Sequence, residues 1–447
     1  MLGVSVGVQP GFGLRRGVDL PPGFGWDAVR FPLPVHRVGA RYGVGLQPRD
    51  LVDPAIWSGP AFHVDGVAGD DANSGLGAQD GDFSAAKRTI HAAFVAGNAT
   101  GAAYRVLVQA GTYSESAFTR NGNDEPSQPV AIIGWGGPVR YRTGPFSVAW
   151  SDAGGTFSAG VSSVKRAFRT DVLTPEGLYT ELVEVPDVAT CAATPDSWVD
   201  DAGTVHVNIG GAPGAEDIAL MRSFHGARFL THDRDIYLEN IHTEGGITGA
   251  LHFDAVATRN IVGVECSFRY SAPSNPSSPL DAARVRRTDG LIAMFRCDAS
   301  LGAKDGWSFH EDGVAGMHVL LVDCSGHRNG VGQATSCNAF TTHDAARAVV
   351  LNGDFGLSRN GTEVHCIQST QTWLGGTRAV ARDVDGTSVA YKCSNPSFMW
   401  LQDCLADADG SVENYALEAN AGTVFTRGFT VVNGSVVTSL GGSVTPF

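Results

Sequence analysis

From residue 231 onward the chain repeats one local pattern, a short apolar run that stops at Asp or Asn and gives way to a turn. Tyr237-Leu238-Glu239-Asn240, Val319-Leu320-Leu321-Val322-Asp323, Val349-Val350-Leu351-Asn352-Gly353-Asp354, Val380-Ala381-Arg382-Asp383 and Phe398-Met399-Trp400-Leu401-Gln402-Asp403 are copies of it. Counted on aspartates from Asp323, the copies recur after 31, 29 and 20 residues. Apolar runs of this length, bounded by turns, read as strands. A β-sandwich would show strict alternation and tight hairpin turns, and this half of the chain shows few of either. Coils of two or three short strands fit better: in a parallel β-helix each coil stacks on the next and loops of variable length leave at the corners.

The pattern ahead of this repeat is different. Phe62-His63-Val64-Asp65-Gly66 reads as a strand and Gly69-Asp70-Asp71-Ala72-Asn73-Ser74-Gly75 as a polar turn. Ser84 to Phe94 places Ile90, Ala93 and Phe94 at i, i+3, i+4, which predicts one amphipathic helix with Ser84 as N-cap. Tyr104-Arg105-Val106-Leu107-Val108 and Val130-Ala131-Ile132-Ile133 supply further strands. A single helix before a strand solenoid is expected to cover the open end of the stack.

These patterns divide the chain into 1–60, an irregular amino-terminal arm; 61–144, the capping helix and first coils; 145–230, an insertion; and 231–447, the main β-helix. The arm is rich in Gly and Pro and carries Phe12, Phe24, Trp26, Phe31 and Trp57 as candidate anchors on a larger assembly; a floppy tail is the alternative. Within the insertion, Ser197 to Val207 forms a hairpin pattern turning at Asp201-Ala202-Gly203, and such an insertion could wall a groove.

Charge narrows the partners. Thirty-two basic against 46 acidic residues leave −14, a field that repels nucleic acid and anionic membranes. No apolar run is long enough to insert in a bilayer, and no secretory signal is visible after Met1. Synthesis in a bacterial cytoplasm with release by lysis is the expectation. Four of the eight cysteines recur in a common setting: Glu265-Cys266-Ser267, Arg296-Cys297-Asp298, Asp323-Cys324-Ser325 and Asp403-Cys404-Leu405. With no CxxC pair and a cytoplasmic origin, they read as a buried ladder of free thiols rather than zinc ligands or disulfides. No cofactor and no metal are expected.

The order Val-Asp-Gly (64–66), Gly-Asp-Asp-Ala-Asn-Ser-Gly (69–75), Arg-Thr-Ile-His-Ala-Ala (88–93) and Val-Leu-Val-Gln-Ala-Gly-Thr-Tyr (106–113) resembles the entry to right-handed parallel β-helix proteins of the pectate-lyase-like superfamily. The resemblance implies an all-β, right-handed parallel β-helix. That superfamily includes polysaccharide lyases, glycoside hydrolases and bacteriophage spikes. An amino-terminal arm without a signal peptide is similar to a spike of a phage or a phage-like gene-transfer particle. Such a spike binds bacterial surface polysaccharide, joins particle proteins through residues 1–60 and is usually a homotrimer. The alternative is a polysaccharide depolymerase, hydrolase or lyase. Galacturonase-like hydrolases carry Gly-His-Gly where this chain has Ser325-Gly326-His327-Arg328-Asn329-Gly330, and their other motifs are absent.

Seven of thirteen histidines fall between 242 and 365. His310-Glu311 and His343-Asp344 lie 33 residues apart, about one coil, and Trp373 follows thirty residues beyond His343. One face is therefore expected to present Trp307, His310, Glu311, His343, Asp344 and Trp373. Asp305, Glu311, His343 and Asp344 are the candidate catalytic residues, because glycoside hydrolysis needs paired carboxylates. Trp307, His310, His327, Arg328 and Trp373 are the candidate sugar-binding residues. The groove walled by the insertion is the second location.

Overall fold

A computed structural model describes residues 15–447 apart from 115–124, 231–233, 256–257, 274–279, 332–334, 383–385 and 411. The chain is an all-β parallel β-helix, and each coil lays one strand on each of three faces. Leu291–Phe295, Asp298–Ser300 and Trp307–His310 make one such coil. The next coil, His318–Val322, Ser325–His327 and Cys337–Thr342, pairs with it in parallel on every face.

The corner between the first and second faces explains the sequence repeat. Asn240, Glu265, Arg296, Asp323, Asn352 and Asp403 all take φ between 53° and 56°, and Gly376 and Gly428 take 64°. Asn, Asp and Gly tolerate this left-handed turn best, which is why apolar runs end on them. Measured between these corners, coils are 24 to 31 residues long. Asp354 is not a corner: it opens the strand Asp354–Gly356 on the second face. Asp383 lies outside the described residues.

Cys266, Cys297, Cys324 and Cys404 each follow a corner directly and point into the core. Cys297 Sγ lies 3.4 Å from the backbone N of Cys266 on the preceding coil. All eight cysteines are free and buried. Gly353 and Thr377 occupy the same place on two coils, and the Thr377 hydroxyl donates to the Val350 carbonyl at 3.4 Å.

The capping helix is shorter than its pattern predicts. It spans Ile90–Asn98, and Thr89, not Ser84, is the N-cap, its hydroxyl accepting from Ala92 N at 3.1 Å. The preceding residues are held extended because Lys87 pairs with Val64 in parallel. Its ammonium is buried and donates to the carbonyls of Asn73 and Asp71 at 2.6 and 3.0 Å. Ile90, Ala93 and Phe94 close the end of the core as expected.

The arm is the main departure from the sequence reading. Strands of the first face are apolar on both sides: inward residues such as Val319 and Leu321 fill the solenoid, while Tyr237, Val262, Ala293, Leu320, Val349, Trp373 and Trp400 form an outward row. Residues 15–60 lie along that row as a strap. Phe24, Trp26, Val35, Tyr42, Val52 and Ile56 are buried against it. Phe24 meets Trp373 and Trp400 edge-on, with ring centroids 6.4 and 5.4 Å away. Polar latches fix the strap's position: Gln371 Oε1 accepts from Gly25 N at 2.6 Å, Asn352 bonds both backbone groups of Tyr42, and the Tyr42 hydroxyl donates to Asp403 at 2.6 Å. Of the expected anchors, Phe24, Trp26, Phe31 and Trp57 are thus engaged by the chain's own solenoid. Phe12 lies outside the described residues.

Trp373→Ala and Trp26→Ala each remove a large aromatic from this interface, and each is expected to cost about 3–5 kcal/mol in urea unfolding. Unchanged stability in both would show a strap resting loosely. Alkylation without reductant should label no thiol in the native protein and all eight after unfolding, read by mass; fewer than eight labels would reveal disulfides.

Candidate functional site

The third face carries the first set of predicted residues. Its strands alternate strictly: in Trp307–His310, Trp307 and Phe309 enter the core while Ser308 and His310 face outward. Trp307 has 0% exposure, and its indole N–H donates to the Ser325 carbonyl at 2.8 Å. Trp373 has 0% exposure as well, under the strap on the first face. Neither tryptophan offers a face to a sugar. The coil after His343 is 24 residues long, pairing Thr342 with Cys366, so a thirty-residue step from His343 overshoots onto the next face.

The two carboxylates nearest those tryptophans are also internal. Asp305 is buried; its Oδ1 accepts from the backbone N and the side-chain amide of Asn338 at 2.8 and 3.1 Å. Burial and the neighbouring Asp281 raise its carboxyl above the ordinary range. Glu311 is buried and staples a loop by accepting from Gly316 N and Met317 N at 2.8 and 3.1 Å. Such contacts terminate strands and satisfy backbone groups. His310 and His343 do stack as expected, with ring centroids 4.0 Å apart at 12°. Burial, then the neighbouring His343, pushes His310 down to about 3. Asp344 lies beside them and accepts from Asp312 N at 3.0 Å.

The second face is concave and polar. Its strands are three or four residues long, and two side chains of each point outward. One outward row reads Arg140, His242, Ser267, Asp298, Ser325, Asp354, Arg378, and each pairs with the next. The other includes Arg142, Glu244, Arg269 and Ser300 in consecutive register, with His327 paired to Gly356 further along. Two cavities of about 630 and 510 Å³ lie along this face and share Arg269 and Asp298, so they form one groove.

The insertion is its wall. It leaves the solenoid after Val130–Arg142 and returns at Ala227–Leu230, replacing a simple corner. Its predicted hairpin is present, Ser197–Asp201 pairing with Thr204–Asn208 around a two-residue turn with Ala202 and Gly203 at positive φ. Arg166 fastens the insertion by donating to the carbonyls of Ser271 and Leu301, both at 2.6 Å. Tyr179 stacks on Tyr270 at 4.9 Å, and Glu176 is bidentate with Arg328 at 2.6 and 3.3 Å. His327 lines the groove, whereas Arg328 holds its wall.

Asp298 is the most constrained acid here. Arg269 Nε donates to it at 2.6 Å, and the hydroxyls of Ser325 and Ser300 donate at 2.7 and 2.8 Å. Burial alone would raise its carboxyl, but Arg269 and these hydroxyls outweigh burial and hold it low. Asp354, two rungs on, is half-exposed, accepts from Arg378 at 3.0 Å and lies 3.7 Å from His327 Nε2. His242 is pushed down to about 4, first by burial and then by Arg269.

No protein-family model matches the chain, and no curated protein matches it. Among solved structures it is similar to a glycoside hydrolase at a TM-score of 0.43 and 11% identity, over 86% of this chain and 97% of that one. It is similar to XylC in complex with xylose at 0.43 and 12%, over 85% and 71%. A GH136 lacto-N-biosidase from Eubacterium ramulus follows at 0.38 and 13%, over 86% and 67%. Likenesses this distant assign neither an activity nor a catalytic residue.

Sequence reasoning missed Arg269, Asp298 and Asp354, yet the thiol ladder marks them. Residues that follow ladder positions line the groove: Ser267 and Arg269 after Cys266, Asp298 after Cys297, Ser325 and His327 after Cys324, and Asp354 after Gly353.

Glu176 gives this wall a pH signature. Burial raises its carboxyl, but hydrogen bonds from Arg328 and Thr174 prevail and bring it to about 2. A depressed carboxylate stabilises the fold above its unfolded value of roughly 4.3, and the contribution fades as pH falls toward about 2. Glu176→Gln should therefore cost about 1 kcal/mol near neutral pH, given the pair's partial exposure, and nothing at the acid limit. A difference in urea stability that stays constant over this range would contradict the pairing.

Proposed function

We propose that the chain acts on carbohydrate and that the second-face groove holds a glycan chain along the solenoid axis. The observation that carries this reading is the row Asp298–Ser325–Asp354 inside a walled groove, with carboxylates, hydroxyls and guanidinium groups repeating at coil spacing. Such groups bind sugar hydroxyls along a repeating polymer. Asp298 and Asp354 lie two rungs apart, about 9.6 Å at roughly 4.8 Å per coil. That is close to the separation of about 6.5–9.5 Å used by inverting glycoside hydrolases, which place water between base and sugar.

In this proposal Asp298, kept ionised by Arg269, removes a proton from water as the water oxygen attacks the anomeric carbon. Asp354 passes a proton to the departing glycosidic oxygen, after the bound sugar desolvates it and displaces Arg378. The particle-attachment reading placed its contacts in residues 1–60, and the strap's aromatics Phe24, Trp26 and Trp57 pack on the solenoid instead. The depolymerase reading needs no such arm.

The test is incubation with a panel of bacterial polysaccharides, scoring sedimentation with the glycan and new reducing ends separately. Wild type should bind and release reducing ends from at least one glycan. Asp298→Asn and Asp354→Asn should each lower turnover roughly 10²–10⁴-fold while retaining binding. Binding without products, weakened by both variants, would make the groove a receptor site. Binding unaffected by either variant would remove the groove from the account.

A further inference from the structure

The third face keeps His310 and Asp344 together but not for the role the sequence gave them. His310 ends its strand, Asp312 lies two residues on, and Asp344 sits at the same corner one coil later. One ligand atom from each of the three lies within 4.8 Å of the others. Asp312 and Asp344 both take left-handed φ, 47° and 65°.

Each of the three is oriented by a second contact. The Ser308 hydroxyl lies 3.0 Å from His310 Nε2, and His343 stacks on the ring. Arg286 Nε donates to Asp312 Oδ2, and the Asp312 backbone N donates to Asp344 Oδ2 at 3.0 Å. Each carboxylate is left one further oxygen. His343 has both nitrogens engaged, with Thr341 at 3.2 Å and Gln368 at 3.2 Å, so it supports the ring and does not ligate.

We infer that His310, Asp312 and Asp344 bind a divalent transition metal of the Zn²⁺ class. Imidazole selects such an ion over Ca²⁺ and Mg²⁺, which take oxygen ligands. Three protein ligands on one side leave an outward position for water or an oxygen donor, and outer contacts of the kind seen here hold ligands in place. Arg286 holds Asp312 directly, and the charges of Arg284 and Arg287 also reach the cluster, so a bound cation adds to the two carboxylates' existing basic neighbours. This site lies on a different face from the groove and does not depend on it.

The full chain, stripped with EDTA, is titrated with ZnCl₂ by calorimetry. One Zn²⁺ per chain should bind, and excess Ca²⁺ should not displace it. His310→Ala and Asp344→Asn should each weaken binding about 10-fold or more, while His36→Ala on the strap leaves it unchanged. Where a variant fails to fold by circular dichroism, wild type is probed instead: Zn²⁺ should protect His310 from diethylpyrocarbonate, read by peptide mass. Absence of saturable binding, wild-type affinity in both folded ligand variants, displacement by Ca²⁺, or no protection of His310 would each overturn the assignment.

Discussion

The row of apolar side chains facing outward from the first face sets the terms for the rest of the molecule. A solenoid needs only its inward positions to be apolar, because the outward ones ordinarily meet water. Here Tyr237, Leu320, Val349, Trp373 and Trp400 occupy outward positions in register, and leaving them wet would forfeit about 1.5–3 kcal/mol for each large side chain. The strap covers them, and its latches to Gln371, Asn352 and Asp403 tie coils far apart in sequence to one segment. One face is thereby consumed by packing, and two remain for chemistry.

Of those two, the second is shaped by the corners and the insertion together. Left-handed corners feed short strands whose outward residues stack rung on rung. That stacking lets Asp298 collect Arg269 from one coil and Ser325 from another. The hydrogen bonds offset a burial cost that would otherwise neutralise the acid. Arg166 and the Glu176–Arg328 pair hold the wall at a fixed height over this row. Charge, depth and repetition coincide on this face.

Much of the architecture was legible because it is written in local patterns. Apolar runs ending in Asp or Asn mark corners, the Ile90–Phe94 spacing marks the cap, and four cysteines mark the inward position after a corner. The strap was misread for a physical reason: its polar latches reach partners 182 to 366 residues away, so its Gly- and Pro-rich sequence shows no periodicity of its own. Yet Val319-Leu320-Leu321-Val322 is apolar without alternation, a signature of strands buried on both sides. The candidate site was half legible. His310, His343 and Asp344 came together, and His327 reached the groove. Trp373 did not, because coil lengths vary and a fixed step places it on the wrong face, while Trp307, Asp305 and Glu311 lie at the third face but are buried. Parity within a strand, rather than spacing between coils, decides which side chains emerge.

A crystal structure of the protein soaked with oligosaccharide from a polysaccharide that it binds would test the division of labour among the faces most directly. The account predicts sugar density lying along the second face, touching Asp298, Asp354 and Arg269 beneath the insertion. Density on the third face over His310 and His343, with the groove empty at saturating ligand, would contradict it.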